Sequence, residues 1–337
     1  MARWLWGIIF LALILVGYVI YAKAKEKPEG INSSQEAPSE VQEMGLSPVK
    51  QASERYQNPE EALKALKEAS KNYDLEFIES FTLPNNCAWC GDFYEKLKHE
   101  VLTANLSSEE KSFYAEILAV SGKPESLEFL VQAYLNSKSD SDKEAFLNAI
   151  ELTVANDEII DWLAENVNRQ SNDPGLRDSI LAALTNQDSV KAVEHLYDIL
   201  VKQEDPERDA QKGIGLSECV PPDEALPFLV DKLKDTDSRF QVYVASAILN
   251  NGLEGLKKFV DVLNSDTGNK LAVHFQKLVD HVPFDEEIEG FLKEVSEKGS
   301  EPQKVFAKKV LEAFDALRSE LEQEAEGEQE ENNQEQQ

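Results

Sequence analysis

Apolar side chains return every third or fourth position through most of the chain, the spacing of one helical face. Phe93, Leu97 and Val101 stand at i, i+4 and i+8. Phe113, Ile117 and Leu118 mark another such face, and Leu63 and Leu66 with Ala62, Ala65 and Ala69 a third. Start and stop signals bracket them. Asn58-Pro59-Glu60-Glu61 offers an N-cap, a first-turn proline and two acids at the positive end of the helix dipole. Ser107 with Glu110 three residues on has the capping-box pattern, and Gly122-Lys123-Pro124 closes the helix it opens. A segment at 75–81 stops before Pro84. No alternating apolar and polar run bounded by turn residues interrupts the series, so the pattern predicts an all-α body.

That body repeats itself. Ser141-Asp142, Asp173-Pro174, Asp205-Pro206 and Asp237-Ser238 begin 32 residues apart. Eight positions after each come Ala149, Leu181, Gly213 and Ala245, and eleven after come Leu152, Leu184, Leu216 and Ile248. The first set is mostly small and predicts close helix approach. The second is aliphatic and predicts the filling between repeats. Each anchor predicts a helix start, an acid or serine able to cap, sometimes with proline next. An amphipathic helix precedes each anchor, at 127–135, 159–167, 190–201 and 225–233, and a further pair is expected at 253–263 and 271–279. Two helices recurring in register predict an α-solenoid, in which each repeat covers its neighbour's apolar face.

Residues 223–249 resemble a HEAT repeat. Pro227 lies inside the first helix, Asp235 and Asp237 frame the turn, and Arg239 precedes an alanine-bearing second helix with Ala245 and Ala247. Asn172-Asp173-Pro174, Arg177 and Ala182-Ala183-Leu184 match the turn and second helix of the same family in its short bacterial form. The likeness covers roughly 122–280. It thins at Asp205, where Gly213 and Gly215 replace better helix formers, and after Gly252, where the register slips. The tetratricopeptide pattern of Trp, Gly and Tyr is absent. The resemblance implies a curved superhelix that binds other macromolecules.

Residues 4–22 carry no charge and, as a helix at ~1.5 Å per residue, span about 28 Å, near the thickness of a bilayer core. Trp4, Trp6, Tyr18 and Tyr21 sit near its ends, where such rings favour the interface. A retained transmembrane anchor at 1–22 is expected. A signal peptide cut near Ala22-Lys23-Ala24 is the alternative. Arg3 on one side and Lys23, Lys25 and Lys27 on the other, diluted by Glu26, nearly balance. Bacterial proteins built this way usually export the C-terminal part. The expected address is therefore a bacterial inner membrane with the body periplasmic, a cytoplasmic body being the alternative. Residues 23–57, with Pro28, Pro38 and Pro48, read as a flexible linker. Residues 58–121 read as an N-terminal helical region, 122–318 as the solenoid, and 319–337, with no base after Arg318, as a disordered acidic tail.

Composition narrows the function. Sixty-four acids against 34 bases give a net charge of −30. That field argues against nucleic acid, which needs a basic footprint, and favours a basic protein partner. Cys87 and Cys90 are the most pointed chemical feature. Their spacing suits a local disulfide, a metal site with further ligands, an active dithiol or two reduced buried thiols. A zinc site wants a second pair, and only Cys219 remains, with His99, His195, His274 and His281 scattered. Thioredoxin-like chemistry wants a βαβ setting. Cys219 reads as a small buried apolar residue. No catalytic set, metal or cofactor site is expected. Arg177, Arg208 and Arg239 near the helix starts are expected to pair with the repeat-turn aspartates as surface pairs, or to line a face that binds acidic groups. The expected function is a membrane-tethered HEAT-like scaffold that binds a protein partner. A thiol-redox or lyase-type enzyme using Cys87 and Cys90, and an architectural subunit of a membrane complex, are the alternatives.

Overall fold

The computed structural model describes residues 50–82, 87–264 and 266–335, with side chains to residue 323. The apolar run at 4–22 and the linker through residue 49 lie outside them. No described helix is long and apolar enough to cross a membrane. Among the described residues every regular element is a helix.

The folded body begins earlier than residue 58. Residues 52–55 form a single turn, α1 (Ala52–Arg55), with Ala52 fully buried. Tyr56 behind it meets Phe77 and Phe81 with ring centroids 5.7 and 6.4 Å away. Residues 50–57 therefore belong to the body, because an aromatic cluster elsewhere in the chain gives their few apolar groups something to cover. α2 (Pro59–Asn72) starts as expected, with Asn58 Oδ1 accepting from the Glu61 N–H at 2.9 Å. α3 (Leu75–Ser80), α4 (Cys90–Thr103) and α5 (Ser108–Val120) follow. The α5 capping box is complete: Ser107 Oγ accepts from the Glu110 N–H, and Glu110 Oε2 accepts from the Ser107 N–H. Phe81 stacks on Phe93 at 4.5 Å, with Phe77, Trp89 and Tyr94 around them. Such pairs contribute ~0.5–1.5 kcal/mol each beyond their burial.

Beyond α5 the helices come in pairs: α6 (Pro124–Asn136) with α7 (Asp140–Glu151), α8 (Asp157–Arg169) with α9 (Pro174–Thr185), α10 (Val190–Leu200) with α11 (Pro206–Ala210), and α12 (Leu226–Asp235) with α13 (Ser238–Asn250). First helices touch first helices, α6 on α8, α8 on α10, and α12 on α14 (Leu253–Val262). Second helices touch second helices, α5 on α7 and α7 on α9. Each pair buries its apolar face on the next pair, an arrangement consistent with an α-solenoid.

Polar side chains follow the same step. Asn156 Nδ2 donates to Gly122 O, Gln187 Nε2 to Thr153 O and Asn251 Nδ2 to Pro221 O, at sequence separations of 34, 34 and 30. Carbonyls just past a helix end have no intrahelical donor. A side-chain amide from the neighbouring repeat supplies one.

The aligned positions are mostly core. Ala149, Leu181, Ala245, Leu184, Leu216 and Ile248 are all buried. Leu152 and Gly213 are corrections. Leu152 is 54% exposed, because α7 is capped by Ser139, two residues before Ser141, and ends at Glu151. Ile150 takes the buried place instead. Gly213 is exposed at φ +72° beyond the end of α11.

The expected helix at 271–279 is broken into α15 (Asp266–Leu271), a 3₁₀ turn at 272–274, α16 (Phe275–Leu278) and a 3₁₀ turn at 279–281. Phe275 and Leu278, three residues apart in α16, share one side and are both buried. Two long elements close the chain, α17 (Glu286–Lys298) and α18 (Glu301–Glu335). Residues 319–335, expected to be disordered, are helical in backbone. Phe306, Ala307, Val310 and Phe314 dock the start of α18, so helix nucleation is already met, and Glu, Gln and Ala propagate it well.

Candidate functional site

Between α11 and α12 the repeat departs from the paired-helix pattern, and three clefts gather there. Asp205 caps α11, its Oδ1 accepting from the Arg208 N–H, and Pro206 takes the first position. The helix lasts only to Ala210. Gly213 and Gly215 hold φ of +72° and +92°, conformations that end a right-handed helix and favour glycine. The Gly215 N–H is caught by Thr185 Oγ1 at 2.8 Å. The chain then makes a 3₁₀ turn at 216–218 and runs extended through Val220, which is 65% exposed, before α12.

On one side of the break lies a crossed ion lattice. Arg177 of α9 donates to Asp209 Oδ1 and Oδ2 of α11 at 2.9 and 2.7 Å. Arg208 of α11 donates back to Asp178 Oδ1 and Oδ2 of α9 at 2.8 and 2.9 Å. Lys212 joins Asp178 as well. This corrects the expected ladder. The turn aspartates Asp173, Asp205 and Asp237 cap helices instead of meeting the arginines. The lattice is not a set of surface pairs either, since Asp209 is only 3% exposed. Arg239 lies over the Phe240 ring, 4.3 Å from its centroid. Burial alone would raise the Asp178 carboxyl, but hydrogen bonds from Lys212 and Arg208 outweigh it and hold the group below its ordinary value. Breaking a buried pair of this kind leaves an uncompensated charge.

On the other side is a cleft of about 250 Å³ whose floor is α13. Tyr243 donates to Glu207 Oε2 at 3.0 Å, and Lys277 Nζ donates to both Glu207 oxygens at 3.1 and 2.9 Å. Glu207 and Lys277 are 70 residues apart, so this bond spans from α11 across α13 to α16. Lys277 and Tyr243 hold the Glu207 carboxyl below its ordinary value. Burial and the bond to Glu207 push the Tyr243 hydroxyl up. Asn250 Nδ2 donates to Ser217 O at 2.7 Å and Cys219 O at 3.0 Å, and its Oδ1 lies 3.0 Å from His281 Nδ1. Burial holds His281 below the ordinary imidazole value, against the opposing pull of Glu218 and Asp280. A third cleft opens beside Val220, Pro221 and Pro222, with Asn186, Asp188 and Asn251 opposite.

The cysteines fall elsewhere. Cys87 and Cys90 form a disulfide with Cα atoms 5.3 Å apart, and Cys90 is 3% exposed. The bridge sits at the start of α4 beside Trp89 and Phe93 of the aromatic cluster. Cys219 is a buried free thiol, pushed up to about 12 by burial, with its Sγ 3.1 Å from Leu216 O. His195 Nε2 pairs with Asp161 Oδ1 at 3.0 Å. Among the described residues no three His, Cys, Asp or Glu side chains are placed to hold a metal ion.

Sequence reasoning located the break, through Gly213 and Gly215, but not the cleft residues Glu207, Glu218, Tyr243, Ser246 and Lys277. His281 was only one of four scattered histidines. The available signal was the register failure itself, because departures from local consistency concentrate where something other than folding is served. No protein-family model, curated protein or solved structure matches this chain.

Proposed function

We propose that this chain is a membrane-tethered, HEAT-like α-solenoid that binds a protein partner at its broken third repeat. One observation carries the reading. Pairs of helices tied at steps of 30–34 residues depart from the pattern between α11 and α12, and clefts open there, one of them lined by Gln203, whose buried Oε1 has no hydrogen-bond partner among the described residues. A stack built this way lets one repeat depart from the pattern without loss of its neighbours, which keep their own interfaces. The net charge of −30 favours a basic partner and speeds its encounter. The apolar run at 4–22 supports tethering at the membrane, with the body on the exported side, where the Cys87–Cys90 disulfide would persist.

Co-purification tests this reading. The full chain, solubilised in mild detergent at low ionic strength, is expected to carry one basic protein in a fixed ratio. Raising salt to about 0.5 M, where the Debye length falls to a few ångströms, is expected to release it. A chain that elutes alone at every ionic strength would contradict the scaffold.

A further inference from the structure

The cleft over α13 shows what it is built to receive, provided the scaffold reading above holds. Ser246 is 2% exposed, lines the cleft and has no hydrogen-bond partner among the described residues. Its Oγ is reached by solvent from the open cleft rather than sealed, so it can bond a group that enters there. His281 supplies a second vacancy. Both amide hydrogens of Asn250 are committed to Ser217 O and Cys219 O, so its Oδ1 must accept from His281 Nδ1–H. The neutral imidazole then presents Nε2 as an acceptor. Glu218 takes one bond on Oε1 from Ser217 Oγ at 2.9 Å, leaving its second oxygen open. Asp280 adds a carboxylate on the exposed rim. The one Lys or Arg lining the cleft among the described residues, Lys277, is already committed to Glu207.

The open groups named here can all accept a hydrogen bond, and two of them are charged. Their complement is a cation rich in donors. A bare metal ion does not suit, since no three ligating side chains among the described residues converge. A guanidinium does: it carries five N–H donors in a planar fork and no acceptor, and it favours the face of an aromatic ring such as Tyr243. A volume of about 250 Å³, open to solvent, has room for one long side chain.

We propose that this cleft receives a single arginine side chain of the protein partner, its guanidinium donating to Ser246 Oγ, His281 Nε2 and the carboxylates of Glu218 and Asp280.

The test uses the full chain in detergent micelles with labelled histidine. The His281 resonance is followed by NMR and assigned with H281Q. The probes are the blocked tripeptide glycyl-arginyl-glycine amide, its citrulline analogue, which keeps the shape and removes the charge, and its lysine analogue. The arginine peptide is expected to shift His281 saturably, and citrulline to bind about ten-fold more weakly or not at all. The double variant E218Q/D280N is expected to weaken arginine binding by about ten-fold and S246A by a few-fold, with unfolding temperatures unchanged. No saturable shift, equal binding of citrulline, equal binding of lysine, or indifference to E218Q/D280N would each overturn the proposal. The citrulline arm needs no variant and so cannot fail through misfolding. If the peptide results are negative while a basic partner still co-purifies, the arginine pocket falls and the scaffold stands. If the peptide binds and no partner is recovered, the scaffold falls instead.

Discussion

Tyr73 ends α2 in the left-handed conformation, φ +51°, which a bulky side chain rarely adopts. Its hydroxyl donates to Glu116, a buried carboxylate in the middle of α5 that also accepts from Ser112 Oγ at 3.2 Å. Burial pushes the Glu116 carboxyl up, and the two donors pull it back only in part. Burial and Glu116 together push Tyr73 up to about 12, so it stays a donor at neutral pH. The Tyr73→Phe variant is expected to lose roughly 1–3 kcal/mol in urea unfolding, the penalty of an undersatisfied buried acceptor. An unchanged midpoint would show that the bond contributes nothing. His281 makes a pH test. Its folded value lies below the ordinary one, so as pH falls through about 6.5 the unfolded chain takes up a proton that the folded chain refuses. Stability from this group is present above that value and declines below it. Between pH 7.5 and 5.5 the native chain is expected to lose more stability than H281Q, and equal losses would contradict the assignment. None of this was legible in the sequence, because Tyr73, Glu116 and Ser112 meet only after α2 and α5 have packed.

At the scale of elements, local signals read well and phase read less well. The caps at Asn58, Ser107, Asp173, Asp205 and Asp237 all lie where their side chains and following residues place them. Capping is a short-range bond, so a few residues suffice to show it. The start of α7 was two residues off because Ser139 and Ser141 compete for one cap, and only the folded backbone decides between them. Close crossings were not legible either. A Cβ added at Gly255 would stand 1.8 Å from Ile248 O, where α14 crosses the end of α13. At Gly290, inside α17, a Cβ would meet nothing within 4 Å. Gly255→Ala is therefore expected to cost at least 1–3 kcal/mol, roughly the penalty of overpacking a fixed backbone. Gly290→Ala is expected to gain about 0.5–1 kcal/mol by restricting the unfolded chain. Thermal unfolding of both variants checks the pair, and the same sign of shift in both would contradict the crossing geometry.

At the scale of the folded body, the buried core runs without a gap from Ala52 to Phe314. The step of about 32 residues was legible because close-packed layers demand the same small and aliphatic positions in every repeat. The crossed lattice of Arg177, Asp178, Arg208 and Asp209 was only half legible. The arginines recur in sequence, but their partners depend on how far α11 extends. The Tyr243 cleft was not legible at all, since Glu207 and Lys277 are brought together from repeats that are not neighbours. The central claim is that this break is where a partner sits, and site-directed photocrosslinking in membranes tests it most directly. A photoreactive residue replaces exposed Gln211 at the cleft in one chain and exposed Lys234 of α12 in another. The expected result is one discrete adduct from position 211, abolished by E218Q/D280N, and none from position 234. An adduct of equal yield from both positions, or from 234 alone, would contradict it.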